Sequence, residues 1–271
     1  MPFNDQLTEA AFSKQSFIFD DIYADNTIVH YKRERVRLHV GQFLSPGSEV
    51  LELNSGTGED AIFFARQGHT VHATDLSRGM QEKLSGKVQA AGLTHKISTE
   101  LCSYTDLDNL RERGPYDLVF SNFAGLNCTG QLRDVVRSMP PLLKPGGVIT
   151  LVILPPFCLW ESLLVFKGKF KTATRRWFSH KGRMARVEGL PFRCWYYNPS
   201  VVEEALGEDW ETIDLEGMCT CVPPSYMEGF AEKHPGLYTF LKKAEARNRR
   251  KWPWKYMGDY YIISLRRKSF A

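Results

Sequence analysis

The stretch that decides the fold is residues 49–60, which reads Glu-Val-Leu-Glu-Leu-Asn-Ser-Gly-Thr-Gly-Glu-Asp. The apolar residues among positions 50–53 predict a short buried strand, and the two glycines that follow predict a tight turn into a helix over residues 61–66. A strand, a glycine turn and a helix bring backbone amides and a helix N-terminus up to a ligand. Asp75 ends a second strand-like run 17 residues after the second glycine, where a carboxylate can accept hydrogen bonds from a ribose.

The glycine turn alone does not identify its ligand. The spacing of Gly56, Gly58 and Ala61 also satisfies the dinucleotide fingerprint of NAD enzymes, which is weak evidence when it stands alone. Glu52 argues against NAD, because it lies inside the first strand, where NAD enzymes usually carry an apolar residue.

Two later motifs complete the pattern. Residues 116–122, Tyr-Asp-Leu-Val-Phe-Ser-Asn, predict a fourth strand that runs into a polar turn, and residues 142–147, Leu-Leu-Lys-Pro-Gly-Gly, predict a turn before a fifth strand. With Glu52 and the glycine turn, these motifs resemble, in their order, the motifs of the class I S-adenosylmethionine (SAM)-dependent methyltransferases of the small-molecule type. The resemblance covers about residues 20–154 and favours SAM over NAD.

The resemblance implies an α/β fold with a doubly wound, mostly parallel, seven-stranded Rossmann-like sheet. The strand order would be 3-2-1-4-5-7-6, with the last strand antiparallel. The alternation of strand and helix patterns along the chain agrees with such a sheet. The resemblance also implies SAM as the cofactor, S-adenosylhomocysteine as the product, and no metal.

The resemblance further implies which residues bind SAM. Backbone at the glycine turn would approach the amino-acid end of SAM, Glu52 would orient the turn or reach the head group, and Asp75 would take the ribose hydroxyls. Ser103 stands where many members carry an acid for the adenine, and Asn54 replaces the first glycine at a position where Asn tolerates left-handed backbone. The expected SAM contacts are Glu52, Asn54, Ser55, Gly56, Gly58, Asp75, Leu76, Ser103, Tyr104, Ser121, Asn122, Phe123, Tyr23, Tyr31 and Arg33.

The sequence does not identify a catalytic base. The sulfonium of SAM is already a strong electrophile, so catalysis is mainly positioning and desolvation, and a base is needed only for a protonated acceptor. The candidates are His30, His180, Tyr196 and Tyr197, and the sequence does not select among them. Residues 121–124 read Ser-Asn-Phe-Ala in place of Asn/Asp-Pro-Pro-Tyr, which argues against an adenine or amide nitrogen as the acceptor.

Composition predicts one globular domain in the cytoplasm. The 271 residues are 43% apolar and 24% charged, which suffices for a substantial core. A helical segment at residues 1–45 would precede the sheet, and insertions at about residues 155–197 and 222–258 would form a helical cap over the acceptor. The six cysteines lack zinc-site spacing, and neither a signal peptide nor a membrane span is apparent, so we expect a reduced cytoplasmic protein.

The first insertion has a distinctive charge pattern. Residues 163–187 carry eight basic residues and no acidic ones, interleaved with aromatic residues, and a second basic run lies at residues 242–255. This pattern is typical of either a solvated helix face or a site for a greasy anion. We therefore predict methyl transfer to a small-molecule or lipid-like acceptor, with an acidic carrier protein or an anionic membrane surface as further partners. Nucleic acid is not expected, because the net charge is only +4. The alternatives are an NAD-dependent oxidoreductase and an RNA-directed or non-catalytic SAM-binding module.

Overall fold

The computed structural model describes residues 3–177, 179 and 181–268. Seven strands form one sheet in the order β3-β2-β1-β4-β5-β9-β8, in which only β9 runs antiparallel to its neighbours. This order and direction confirm the predicted sheet. The strands are β1 Glu49–Leu53, β2 Thr70–Asp75, β3 Ile97–Leu101, β4 Tyr116–Ser121, β5 Leu143–Ile153, β6 Arg183–Val187, β7 Leu190–Cys194, β8 Trp210–Met218 and β9 Tyr260–Arg267.

The central strands are apolar on both faces because helices cover both sides of the sheet. Along β4, Leu118 and Phe120 pack into one core cluster while Val119 between them packs into the cluster on the opposite face. This alternation is the two-residue period of a strand, and it explains why β1 and β4 read as nearly continuous apolar runs. The helices are α1 Phe3–Gln15, α2 Phe19–Ala24, α3 Thr27–Val40, α4 Glu59–Arg66, α5 Arg78–Ala90, α6 Leu132–Arg137, α7 Leu159–Ser162, α8 Phe170–Ala173, α9 Pro199–Leu206, α10 Phe230–Lys233 and α11 Pro235–Asn248.

The first insertion contains a β-hairpin that the sequence did not predict. Strands β6 and β7 pair antiparallel across a two-residue turn of Glu188 and Gly189, both of which have positive φ. Positive φ at both central residues suits a hairpin turn, but Glu-Gly is a weaker signal for it than Asn-Gly. Inward-facing Phe192 and Cys194 of the hairpin pack against Ala11 of α1, so the hairpin supports the N-terminal helices.

The second insertion is fastened by one carboxylate. Glu245 of α11 is buried and accepts hydrogen bonds from four consecutive backbone amides of residues 219–222, each at 2.9 Å. The Tyr31 hydroxyl of α3 donates a fifth, also at 2.9 Å. Glu245 therefore joins α3, the chain after β8 and α11. Within the described ranges, no helix has both the length and the apolar composition needed to cross a bilayer.

Candidate cofactor and acceptor site

A cavity of about 320 Å³ opens at the carboxyl ends of β1, β2 and β4 and is walled by α1, α2 and α3. Its volume lies at the lower end of the range for small-molecule sites. The carboxyl edge is where open α/β sheets bind ligands. Many of the predicted SAM contacts line this cavity: Tyr23, Arg33, Glu52, Asn54, Ser55, Gly56, Asp75, Leu76, Tyr104, Asn122 and Phe123.

The two glycines of the turn have different roles. Gly56 has a φ of 56°, and no atom lies within 4 Å of the place where its Cβ would be, so its backbone is open toward the cavity. Gly58 has a φ of 83°, and its Cβ would lie 1.9 Å from Leu84 Cδ1. Gly58 does not line the cavity, so its expected contact with SAM is replaced by close packing of α4 against α5.

Asp75 fixes the glycine turn from the end of β2. One carboxylate oxygen accepts the Gly56 amide at 2.9 Å and the other accepts the Ser77 amide at 2.7 Å. Burial raises the pKa of Asp75 to about 6, although these backbone amides oppose the shift. Each oxygen keeps a further lone pair, so the carboxylate can still accept hydrogen bonds from hydroxyls in the cavity.

Glu52 and Asp60 place two buried carboxylates in the same wall. Asp60 accepts from Arg37 Nε at 2.8 Å and from Asn122 Nδ2 at 2.7 Å, and Arg33 Nη1 lies 4.0 Å away. Glu52 Oε2 has no hydrogen-bond partner within the part of the chain that the structure describes. Burial and then the charge of Asp60 raise the pKa of Glu52 well above its ordinary value. An unpartnered buried carboxylate next to an open glycine turn fits the ammonium of an amino-acid ligand such as SAM.

Several cavity residues carry no motif signal and were missed. Asp60 lies in the first turn of α4, where an acid is common because it complements the helix dipole. Tyr260 is the first residue of β9, and an aromatic residue there is typical of a strand. Lys32 stands next to the predicted Arg33, but a lysine in a helix usually faces solvent. The other residues of the wall that the sequence did not indicate are Thr8, Phe12, Gln15, Phe19, Val29, Thr57, Glu59, Met80, Ala124, Val187 and Ser225.

Three other expected SAM contacts lie outside the cavity because they have structural partners. Tyr31 is buried and donates to Glu245. Ser103 accepts the Thr105 amide at 3.1 Å and caps a short helical turn. Ser121 donates to Asn54 Oδ1 at 2.6 Å and so joins β1 to β4. Polar residues of this kind look the same in sequence whether they face a ligand or a neighbouring strand.

The catalytic candidates do not converge on the cavity. His30 is exposed, and its Nε2 lies 2.6 Å from the Ala24 carbonyl oxygen. Tyr196 lies under the Arg176 guanidinium, at 5.2 Å from the ring centroid, and Tyr197 donates its hydroxyl to the Thr129 carbonyl. None of these three lines the cavity. His180 lies outside the described residues. The catalytic assignment therefore stays open, as the sequence left it.

The arginines of the basic insertion are partly internal. Arg176 is 2% exposed and donates to Glu161 at 2.6 Å and to Asp259 at 2.7 Å. Arg175 donates to both oxygens of Glu161, at 2.5 and 2.8 Å. Arg176 is therefore an internal ion-pair residue, whereas Arg175 pairs with the same Glu161 from the surface. The exposed basic residues of the segment include Lys167, Lys169 and Lys171.

Two clusters combine residue types that can bind metals. Cys158, Glu161 and Asp259 lie around Arg176, and His39, Asp214 and Glu216 lie beside Arg35, Arg249 and Arg250. In each cluster the arginine nitrogens already pair with the carboxylates, which explains the clustering by ion pairs. The expectation that no metal is used stays a prediction.

The strand order, with this cavity at its carboxyl edge, is that of a class I SAM-dependent methyltransferase. Residues 50–147 match the family model that is described as a methyltransferase domain. Residues 50–147 thus match a methyltransferase family, and the fold of the described chain is that of the class I SAM-dependent methyltransferases.

The chain spans less than two thirds of the length of the curated relatives that it matches. It is 39% identical to the tuberculostearic acid methyltransferase UfaA1 of Mycobacterium tuberculosis over 39% of this chain and 24% of that protein. It is 31% identical to the tRNA 5-carboxymethoxyuridine methyltransferase of Escherichia coli over 38% of this chain and 39% of that protein. The crystal structure of the cyclase SpnF is similar with a TM-score of 0.63 and 16% identity, over 99% of this chain and 97% of that one. At such identity the similarity shows the fold alone.

Proposed function

We propose that this protein transfers the methyl group of SAM to a small-molecule or lipid-like acceptor. The observation that carries the proposal is the unpartnered buried oxygen of Glu52, which shares one cavity with the open Gly56 backbone and with Asp75. SAM has polar parts that match these three groups. The Glu52 carboxylate suits its ammonium, the bare Gly56 backbone leaves room for its amino-acid end, and the Asp75 carboxylate suits its ribose hydroxyls.

The choice of a small acceptor is supported by the walls of the cavity. Phe12 of α1 and Phe19 and Tyr23 of α2 line the same cavity as the glycine turn, so an acceptor that enters it meets aromatic side chains. RNA binding needs an accessible basic surface for phosphates, and one of the arginines of the basic segment, Arg176, is instead buried in ion pairs with Glu161 and Asp259. The relatives point in both directions, because one is named for a fatty acid and one for tRNA.

The residues of the cavity would act by positioning and by excluding water. When bound, SAM supplies a methyl group on a sulfonium, which an in-line nucleophile can take without further activation. Phe123 packs edge-on against Tyr260 at 6.4 Å between centroids and forms an apolar wall beside the cofactor half of the cavity. Burial raises the pKa of the Tyr260 hydroxyl well above its ordinary value, so this group stays protonated and can only orient an acceptor.

Two measurements on the purified protein test the proposal. Calorimetry should detect binding of S-adenosylhomocysteine and none of NAD. Incubation with SAM labelled in the methyl group, a metabolite and lipid extract, and total RNA should then place the label in the extractable small molecules. NAD binding without S-adenosylhomocysteine binding would indicate an oxidoreductase. Label in the RNA would indicate the RNA-directed alternative, and cofactor binding without any transfer would indicate a non-catalytic module.

An acidic carrier protein, an anionic membrane surface and a cytoplasmic location stay predictions. Exposed Phe166 and Phe170, beside Lys167, Lys169 and Lys171, are the part of the cap that a membrane test should address first.

A further inference from the structure

Lys32 is a buried cation in the wall of the cavity. Its side chain comes from α3 and is 3% exposed. Nζ donates to Ser225 Oγ at 2.8 Å and lies 4.7 Å from the ring centroid of Tyr260 and 5.5 Å from that of Phe123. The ammonium therefore lies over the faces of both rings, on the side of the cavity where β9 begins with Tyr260.

The charge of Lys32 lacks a counterion inside the protein. Across the described residues, no carboxylate lies within 4.0 Å of its Nζ, whereas the buried Arg176 is paired with Glu161 and Asp259. An ammonium has three donor hydrogens, and Ser225 takes one of them. A desolvated charge without an opposite charge is costly, so a cavity that holds one is complementary to an anion.

Lys32 lies far from Asp75, the residue assigned to the ribose of SAM, although it also lies over Phe123, an expected SAM contact. Asp75 ends β2 and Tyr260 begins β9, and β1, β4 and β5 lie between these strands. Four strand spacings of about 4.8 Å put the two residues roughly 19 Å apart across the sheet. Arg33, the neighbour of Lys32, lies 4.0 Å from Asp60 and also over the Phe123 ring, at 5.2 Å from its centroid. Of the two rings that it contacts, Tyr260 is the one closer to Lys32 Nζ, on the β9 side of the cavity and away from the ribose end of SAM.

We propose that Lys32 binds an acidic group, a carboxylate or a phosphate, of an amphiphilic acceptor. The apolar part of that acceptor lies against Val29, Phe123 and Tyr260, which line the same cavity. This assignment rests on the proposed methyl-transfer function and moves the predicted anion site from the arginines of the cap to a single buried lysine. Ser225 orients the ammonium, so it acts as a positioning residue.

The test compares four ligands with the same ten-carbon chain: decanoate, decyl phosphate, decylamine and decanol. Each is titrated by calorimetry into protein saturated with S-adenosylhomocysteine. We expect the wild type to bind at least one of the two acids about tenfold or more tightly than decanol or decylamine, the effect of one hydrogen bond to a charged group. The tighter of the two acids identifies the acidic group as a carboxylate or a phosphate.

Variants assign the effect to Lys32. Lys32→Gln should remove the preference for the acid, Lys32→Arg should keep most of it, and Lys167→Gln, which changes an exposed lysine of the cap, should leave it intact. Equal binding of acid and alcohol by the wild type would overturn the proposal, as would an unchanged preference in Lys32→Gln. Weaker S-adenosylhomocysteine binding by Lys32→Gln with unchanged acid binding would overturn it too, by assigning Lys32 to the cofactor.

The proposed function and this inference can fail separately. If the wild type bound no S-adenosylhomocysteine, the methyltransferase proposal would fail, while the same titrations on unloaded protein would still show whether Lys32 selects acids. If S-adenosylhomocysteine bound and no ligand showed a preference that depends on Lys32, only the inference would fail.

Discussion

Asp75 both fixes the glycine turn and lines the cavity, because its carboxylate accepts a hydrogen bond from the Gly56 amide and faces the cavity. Asp75→Asn keeps the size of the side chain but removes the charge and one acceptor oxygen. We expect it to weaken S-adenosylhomocysteine binding by about 1.5–3 kcal/mol, the range for hydrogen bonds to charged groups. Calorimetry measures this, with Asp134→Asn, which changes an exposed residue of α6, as the control. Unchanged affinity in Asp75→Asn would remove this carboxylate from the site.

Acidity should weaken cofactor binding through the same group. Because the pKa of Asp75 is raised to about 6, the carboxylate is ionised at pH 7 and protonated at pH 5. Protonation removes an acceptor, so S-adenosylhomocysteine affinity should fall as the pH drops through 6, by up to about tenfold per unit. Binding by Asp75→Asn should depend less on pH over this range. Parallel pH profiles for the two proteins would contradict this expectation.

The ligand-free protein should show the opposite trend in stability. The folded pKa of Asp75 lies above its ordinary value of 3.8, so the folded state binds this proton more tightly than the unfolded state does. Its contribution to the free energy of unfolding therefore rises as the pH falls from 7 to 5, by about 1 kcal/mol. Urea denaturation of the wild type and of Asp75→Asn at the two pH values isolates this contribution as a difference.

The glycine turn offers a matched pair of substitutions. Gly56→Ala places a methyl group in open cavity space, so the protein should fold and lose affinity for S-adenosylhomocysteine. Gly58→Ala drives its Cβ into Leu84, so it should lower the melting temperature far more. Both carry the strain of positive φ, about 1–2 kcal/mol, which therefore cancels in the comparison. Thermal unfolding and calorimetry on both variants decide the matter, and equal melting temperatures would refute the packing role of Gly58.

At the scale of elements, α2 is fastened over the glycine turn by one side chain. Asp20 accepts from Thr57 Oγ1 at 2.6 Å and from Lys87 Nζ at 2.9 Å, and the same helix carries Phe19 and Tyr23 into the cavity. Asp20→Ala should loosen the helix and accelerate S-adenosylhomocysteine dissociation by about three- to tenfold, since the contacts are half exposed and each is worth about 1 kcal/mol. Stopped-flow displacement measures the rate. Asp21→Ala, on the exposed side of α2, should leave it unchanged, and equal rates in both variants would exclude the fastening.

At the scale of the whole molecule, the ion pairs of Arg176 in the first insertion should contribute to the free energy of unfolding. Arg176 is buried between Glu161 of α7 and Asp259 just before β9, so Arg176→Met leaves two carboxylates without their central partner. Breaking such a buried pair costs about 3–5 kcal/mol. Arg175→Met should cost much less, because Arg175 is half exposed and Glu161 keeps Arg176. Urea denaturation compares the two, and similar losses would show that the central position of Arg176 is unimportant.

What the sequence could predict follows from how far apart the interacting residues lie along the chain. The glycine turn is a short local motif, and the sheet order followed from the resemblance of such motifs to a known family; both were predicted correctly. Arg176 lies 83 positions before its partner Asp259, so the basic run appeared to be unpaired. Lys32 likewise faces the cavity only because Ser225 and Tyr260 reach it from distant parts of the chain. Pairing over such distances leaves no pattern in a single sequence.

Glu245 links the β8 edge of the sheet to the cavity wall, because its carboxylate accepts hydrogen bonds from both residues 219–222 after β8 and Tyr31 of α3. Because one carboxylate accepts all four amides of residues 219–222, these hydrogen bonds break together or remain together. The Tyr31 hydroxyl ties α3 to the same carboxylate, one position before Lys32 in the chain. A displacement of α11 from the sheet would therefore strain a hydrogen bond to α3, the helix that carries both cavity cations, Lys32 and Arg33.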